Sequence, residues 1–123
     1  MRIRTIENTK AEGRQGEDSA VEYLEKKGYQ IIKTNFIFGK LGEIDIIAKD
    51  NDVLVFVEVR KRNNLDYGTP EESMTNAKRH KIKRVAEAYL YVNKITNVDC
   101  RFDFIGITKN NGKEVLNHIV NAF

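Results

Sequence analysis

From Gly42 to Arg62 the chain reads G-E-I-D-I-I-A-K-D-N-D-V-L-V-F-V-E-V-R-K-R. Two runs of β-branched and apolar residues flank the polar pair Asp50-Asn51, a pattern that predicts a hairpin turning at Lys49–Asp52. Pairing Ala48 with Val53 sets Asp45 opposite Phe56 and Glu43 opposite Glu58. Period-two alternation then sends Ile44, Ile46, Ala48, Val53, Val55, Val57 and Val59 to one wholly apolar face. The other face carries Ile47, Leu54 and Phe56, with Glu43, Asp45, Glu58 and Arg60 crowded at one end. Opposed residues in such a ladder sit about 4.5–5.5 Å apart, and opposed like charges destabilise it, so three carboxylates in one corner call for a cation.

The flanking pattern completes a fold. Residues 13–28 read as a helix with acidic residues in its first turn, an apolar stripe of Ala20, Val21, Tyr23 and Leu24, and Gly28 as its stop. Glu17 stands at the N-terminal edge of that stripe. It either favours the helix dipole or turns towards the acidic corner, and spacing alone favours the dipole. Tyr29–Phe38 is a β-rich run that turns through Gly39–Gly42 into the hairpin, giving three antiparallel strands. After a polar, turn-like stretch over 62–68, Thr69-Pro70-Glu71-Glu72 combines a cap, a first-turn proline and a T-x-x-E capping box. The helix it starts runs to about Asn93 and buries Ile82, Val85, Ala86 and Tyr89. Lys78 extends that stripe to the edge between core and solvent, while Arg79, His80, Lys83 and Arg84 fan outwards.

Two last strands, 101–108 and 114–123, flank the turn signal Asn110-Asn111-Gly112. Asp103 has three uses open to it: pairing with Arg101, pairing with a base on the second helix, or acting as a remote acid. Structure is the favoured use. His80 and His118 both stand without a ligand partner at metal spacing. The order α-β-β-β-α-β-β predicts an α/β fold, a mixed five-stranded sheet flanked by helices on both faces, which accounts for a hairpin apolar on both sides.

Composition narrows the function classes. The 123 residues suffice for one domain with one core, taken as 13–123 behind an N-terminal arm over 1–12. No apolar run approaches the roughly 18 residues of a membrane helix, and M-R-I-R-T-I-E-N lacks the apolar centre of a signal peptide, so no membrane partner is expected. The lone Cys100 suits a reducing, cytoplasmic setting and is expected as a small core residue. Glycine-rich phosphate loops, G-x-S-x-G and Cys/His metal spacings do not occur. The net charge of +3 is modest, but its placement is not even. Basic residues gather at Arg2, Arg4, Lys10 and Arg14, at Arg60, Lys61 and Arg62, and at Lys78, Arg79, Lys81, Lys83 and Arg84. Basic patches beside an acidic corner fit a polyanion held near a metal; alternatively they are solvated faces.

A carboxylate cluster of oxygen-only donors favours Mg²⁺ or Mn²⁺, ions that activate water and neutralise charge on a phosphodiester. The competing reading is a salt-bridge cluster neutralised by Arg60 and a helix lysine.

E-I-D at 43–45 followed by E-V-R at 58–60 across a hairpin, after a helix bearing Glu17, resembles the PD-(D/E)xK nuclease superfamily. Over nearly the whole chain the sequence also resembles the small bacterial YraN family of endonuclease-like proteins. The matching pieces are G-R-Q-G-E at 13–17, G-Y at 28–29, G-E-I-D-I-I-A at 42–48, V-F-V-E-V-R at 55–60, G-T-P-E-E-S at 68–73, Lys78, R-F-D at 101–103 and the closing N-A-F. The nuclease core is similar, more weakly, to archaeal Holliday-junction resolvases.

The resemblance implies a restriction endonuclease-like core. Asp45 and Glu58 would be ligands for Mg²⁺ or Mn²⁺, with the Val59 carbonyl as a third, Glu17 as an accessory acid and Glu43 in support. It implies a DNA substrate, branched by analogy with the resolvases, contacted by Lys61, Arg62, Lys78, Arg79, Lys83 and Arg84. It also suits a homodimer, since relatives with this core act on symmetric substrates. One position departs from the pattern: Arg60 stands where the superfamily has lysine, and arginine stays protonated at any working pH. Arg60 can hold a phosphate or the attacking water but is a poor general base. Three functions follow as expectations: a metal-dependent endonuclease, a nucleic-acid-binding module that keeps the fold without the chemistry, and a partner-binding domain.

Overall fold

The computed structural model of the protein describes residues 16–63 and 68–123. The arm over 1–12, with Arg2, Arg4 and Lys10, the start of the first helix with Arg14, and most of the 62–68 connection lie outside the described residues. Helix α1 covers 16–26, followed by strands β1 (Gln30–Phe38), β2 (Gly42–Asp50) and β3 (Val53–Arg62). Helix α2 (Asn76–Val92) and strands β4 (Asp99–Asn110) and β5 (Lys113–Ile119) complete the expected order. The strands form one five-stranded sheet in sequence order, antiparallel except for the central parallel pair β3–β4. The helix between β3 and β4 provides the crossover that a parallel pair requires.

Each face of the sheet has its own apolar cluster. Ala20 and Leu24 of α1 pack with Tyr29, Ile46, Ala48, Val55, Val57, Val59, Ile105 and Ile107. Ile82, Val85, Ala86 and Tyr89 of α2 pack on the opposite face with Ile44, Ile47, Leu54 and Phe56. This is the two-sided burial that the hairpin pattern predicts.

Four local expectations need correction. The β2–β3 register places Ala48 against Val55 and Asp50 against Val53, two residues away from the expected pairing. Asn51 adopts a left-handed φ of 53° in a tighter turn, a conformation asparagine tolerates well. Ile44 joins the α2-side cluster although Ile46 lies on the α1 side, so β2 loses strict alternation as it passes Asp45. The second helix does not start at Thr69. The capping box forms, with Thr69 N–H donating to Glu72 Oε2 (3.3 Å) and Glu72 N–H to Thr69 Oγ1 (3.4 Å), but it closes only a 3-10 turn over Glu71–Ser73. Met74 is extended, packs on the α2-side cluster, and Thr75 caps a fresh helix by accepting from Lys78 N–H (3.2 Å). Finally, Cys100 is exposed, because it sits near the start of β4 where the sheet runs out to solvent.

Candidate functional site

The β2–β3 ladder ends on this side with Ile46 paired to Val57. Continuing that register brings Asp45 level with Glu58, so the two strands part where the two carboxylates meet. Asp45 takes the place of a ladder acceptor: its Oδ2 accepts the Val59 N–H at 2.8 Å. The N–H and C=O of one strand residue project to the same edge, so the Val59 carbonyl also faces the gap. Both carboxylates are nearly closed off, Asp45 at 5% and Glu58 at 6% exposure.

Electrostatics distinguish this corner from an ordinary ion pair. Arg60 Nη2 lies 2.9 Å from Glu58 Oε2. Burial, a hydrogen bond with Glu58 and the Glu58 charge push the Asp45 carboxyl up to about 8, against the pull of Val59 N–H and Arg60. A proton on Asp45 relieves the repulsion between the two carboxyls, and a cation placed between them does the same. Glu17 feels the same negative field: burial, Asp45 and Glu43 raise its carboxyl, while a hydrogen bond from Asn35 opposes. Glu17, at the start of α1, is therefore within electrostatic reach of Asp45 and Glu43.

A cleft of about 350 Å³ opens above the pair, lined by Gly42, Glu43, Asp45, Glu58, Arg60, Lys78, Lys81 and Ile82. Its strand side is acidic and its α2 side basic. Lys81 belongs to the cleft and was legible only as part of a basic run; its i, i+3 relation to Lys78 on a helix was the available signal. Two carboxylates and a backbone carbonyl suit a hard, oxygen-seeking ion that binds through one or two acids and completes its shell with water or phosphate. Among the described residues no three His, Cys, Asp or Glu side chains stand together at ligating spacing, so Glu17 and Glu43 remain outside any direct ligand set.

The other predicted contacts scatter. Lys61 Nζ pairs with Glu114 Oε2 at 3.0 Å on the α1 side of the sheet, as alternation demands, away from the cleft. Arg79 is half-buried in a small pocket with Glu71, Met74, Phe104 and Phe123. Lys83 lies over the Phe102 ring, 5.9 Å from its centre, beside Cys100. Arg62 is half-buried and Arg84 exposed. Of the six basic residues expected at nucleic acid, Lys78 alone lines the cleft.

A second polar cluster lies on the α1 face. Asp103, fully buried, accepts from Arg101 Nε (2.9 Å) and Nη2 (3.1 Å), from Asn121 N–H (3.0 Å) and from His118 Nε2 (2.8 Å). Arg101 also donates to Asp50 (3.2 Å) and to the Tyr29 hydroxyl (2.6 Å). His118 is thus not isolated. An ionised Asp103 only accepts, so Nε2 carries a proton, and in a neutral imidazole Nδ1 is left to accept from Tyr23, 3.1 Å away. Burial opposes ionisation of Asp103, but His118, Arg101 and Asn121 overcome it and hold its carboxyl below the usual range.

Residues 16–107 match the model of a family described as "Uncharacterised protein family UPF0102". The chain is 48% identical over 111 residues to a UPF0102 protein of Persephonella marina, covering 90% of this chain and 91% of that one. It is 46% identical to a UPF0102 protein of Caldicellulosiruptor saccharolyticus, covering 94% and 99% of the two chains. A UPF0102 protein of Clostridioides difficile is 45% identical over the same shares.

Proposed function

The chain belongs to the UPF0102 family, and from that premise we propose that it is a metal-dependent nuclease, of PD-(D/E)xK type, that hydrolyses DNA phosphodiesters at the Asp45–Glu58 corner. The observation that carries this reading is the buried pair of carboxylates at the point where β2 and β3 part, with the Asp45 carboxyl pushed up to about 8. Stability alone does not favour two acids in one dry corner; a bound divalent cation relieves their repulsion. When bound, Mg²⁺ or Mn²⁺ supplies Lewis acidity and lowers the pKa of water.

The chain's own residues do the rest. Asp45, Glu58 and the Val59 carbonyl hold the ion, and the Val59 N–H keeps Asp45 aimed at it. Glu17 and Glu43 add negative potential around the Asp45 carboxyl. Arg60, fully protonated, pairs with Glu58 and is placed to exchange that contact for a phosphate oxygen. It orients and neutralises; it does not abstract the proton.

The test is incubation with Mg²⁺ or Mn²⁺ and single-stranded, duplex and branched DNA, beside Glu58→Ala. Cleavage that the variant loses supports the proposal. Cleavage of no substrate above the variant level sinks it. The branched arm is included through the likeness to resolvases, an argument by analogy.

Arg60 on Glu58 also favours a second reading: a nucleic-acid-binding module in which the guanidinium permanently takes the metal's place. That reading predicts salt-sensitive DNA binding that survives Asp45→Ala with Glu58→Ala and is indifferent to EDTA.

A further inference from the structure

The cleft contains three acids, Glu43, Asp45 and Glu58, and three bases, Arg60, Lys78 and Lys81. One ion pair forms among them, Arg60 with Glu58. Among the described residues Lys78 and Lys81 make no ion pair, although acids line the same small cleft. The two walls are held apart, with a space between an acidic strand edge and a basic helix face. A phosphodiester beside a divalent cation has the charge arrangement that fills such a space: the cation against the acids, the anionic oxygens against the lysines.

Helix α2 supports this independently. A helix N-terminus carries partial positive charge and favours acidic residues in its first turn and basic ones in its last. Helix α2 has no acidic residue in its first turn and no basic residue in its last, and it places Lys78 and Lys81 within its first two turns. That arrangement costs the helix stability unless an anion lies nearby. Residues three apart on a helix are neighbours, with Cβ atoms about 5–6 Å apart, so the two ammonium groups act on one ligand group or on adjacent ones. Lys81 is also directed. A Cβ added at Gly42 would lie 3.5 Å from Lys81 Cε and 3.6 Å from Cγ, so the lysine stem runs along the backbone where β2 begins. A long stem packed this way leaves its charged head at the mouth of the cleft.

We propose that Lys81, with Lys78 one turn before it, is the phosphate-positioning pair of this cleft, holding the nucleic-acid backbone against the Asp45–Glu58 corner. The inference rests on the nuclease reading for the identity of the ligand and deepens it. Arg60 pairs with Glu58 before any ligand enters, so the cleft cations not tied to an acid come from the helix. The scattered residues Lys61, Lys83 and Arg79 contribute little to this contact.

Two measurements on the same variants test this and separate it from the nuclease reading. The first is affinity for a labelled duplex oligonucleotide in EDTA over a series of KCl concentrations, for the native chain, Lys78→Ala/Lys81→Ala, Lys81→Arg and Lys83→Ala. Each lost phosphate contact lowers the log–log salt slope by about 0.9. The double variant should lose slope and affinity, Lys81→Arg should keep both, and Lys83→Ala should match the native chain. The second is cleavage in Mn²⁺ with Mn²⁺ affinity read by calorimetry. Lys81→Ala should lower kcat by about 100-fold, the cost of a misplaced reacting group, with Mn²⁺ affinity undiminished.

An unchanged salt slope in the double variant overturns the positioning pair even if the native chain cleaves DNA. A reduced slope with no cleavage by any form leaves the lysine cradle standing and removes the nuclease. An equal fall in slope for Lys83→Ala also overturns the assignment, since it makes the whole helix a diffuse basic surface.

Discussion

Asp45 and Asp103 lie on opposite faces of one sheet, both buried, and their carboxyl groups shift in opposite directions. Asp103 has no solvent exposure yet is held ionised, because Arg101, His118 and the Asn121 N–H occupy its oxygens. Asp45 is about as dry, yet it accepts one backbone hydrogen bond and otherwise faces another carboxylate. Burial is common to both; the partners decide the sign. A fully satisfied buried acid behaves as a structural fastener, here tying β4 to the end of β5 and to α1. An acid whose best partner is a second acid carries a repulsion that a proton or a bound cation relieves.

The sharpest way to break this contrast is to strip Asp103 of its partner. Arg101→Ala leaves a buried charge without its guanidinium and should cost about 3–5 kcal/mol in urea unfolding. The loss should appear as a lower midpoint with an unchanged slope. Because the folded-state pKa of Asp103 is depressed, its contribution is present above the usual carboxylate range and is lost as pH falls through the depressed value. A variant as stable as the native chain would mean that the network is decorative.

Asp45→Asn should act the other way. Asparagine keeps an acceptor for Val59 N–H and offers a donor to Glu58. A raised folded-state pKa means that the native state binds more protons than the unfolded chain between the ordinary aspartate value and about 8, so Asp45 weakens the fold as pH rises through that window. Asn should therefore stabilise the protein at pH 8 and change its stability little at pH 4. Thermal melts at the two pH values check this; a variant destabilised at pH 8 contradicts it. The same variant should lose cleavage, the expected exchange of stability for function.

A smaller effect sharpens the role of Arg60. Arg60→Gln removes a cation that competes for Glu58, so Mn²⁺ affinity by calorimetry should rise by a severalfold factor, on the order of 1 kcal/mol for a partly exposed pair. Cleavage should fall in the same variant. Weaker Mn²⁺ binding would place Arg60 outside the competition.

Element order, the two-sided burial of the hairpin and the stripe of α2 were legible, because periods of two and 3.6 write themselves into long apolar runs. Register was not. A two-residue slip keeps every side chain on its face, so alternation cannot detect it, and the turn at Asn51 decided it. The slip mattered, since it brings Asp45 rather than Glu43 level with Glu58. The capping box at Thr69 was correct as chemistry and wrong as a boundary, because Met74 breaks the helix and Thr75 caps it again.

His118 was misread as isolated for a tractable reason. The Asn111-Gly112 turn pairs Ile105 with His118, and the diagonal neighbour on that face is Asp103. Following the turn signal through to its register would have joined the two. Alternation already sends Lys61 to the α1 face, but the scatter of Arg79 and Lys83 was invisible because a basic run says nothing about what else each stem packs against.

Crystals soaked in Mn²⁺ and measured at the manganese edge decide whether the Asp45–Glu58 corner takes the divalent cation proposed for it. An anomalous peak is expected between the two carboxylates and the Val59 carbonyl, with Arg60 drawn off Glu58. No peak there at saturating Mn²⁺, with Arg60 still on Glu58, would contradict it.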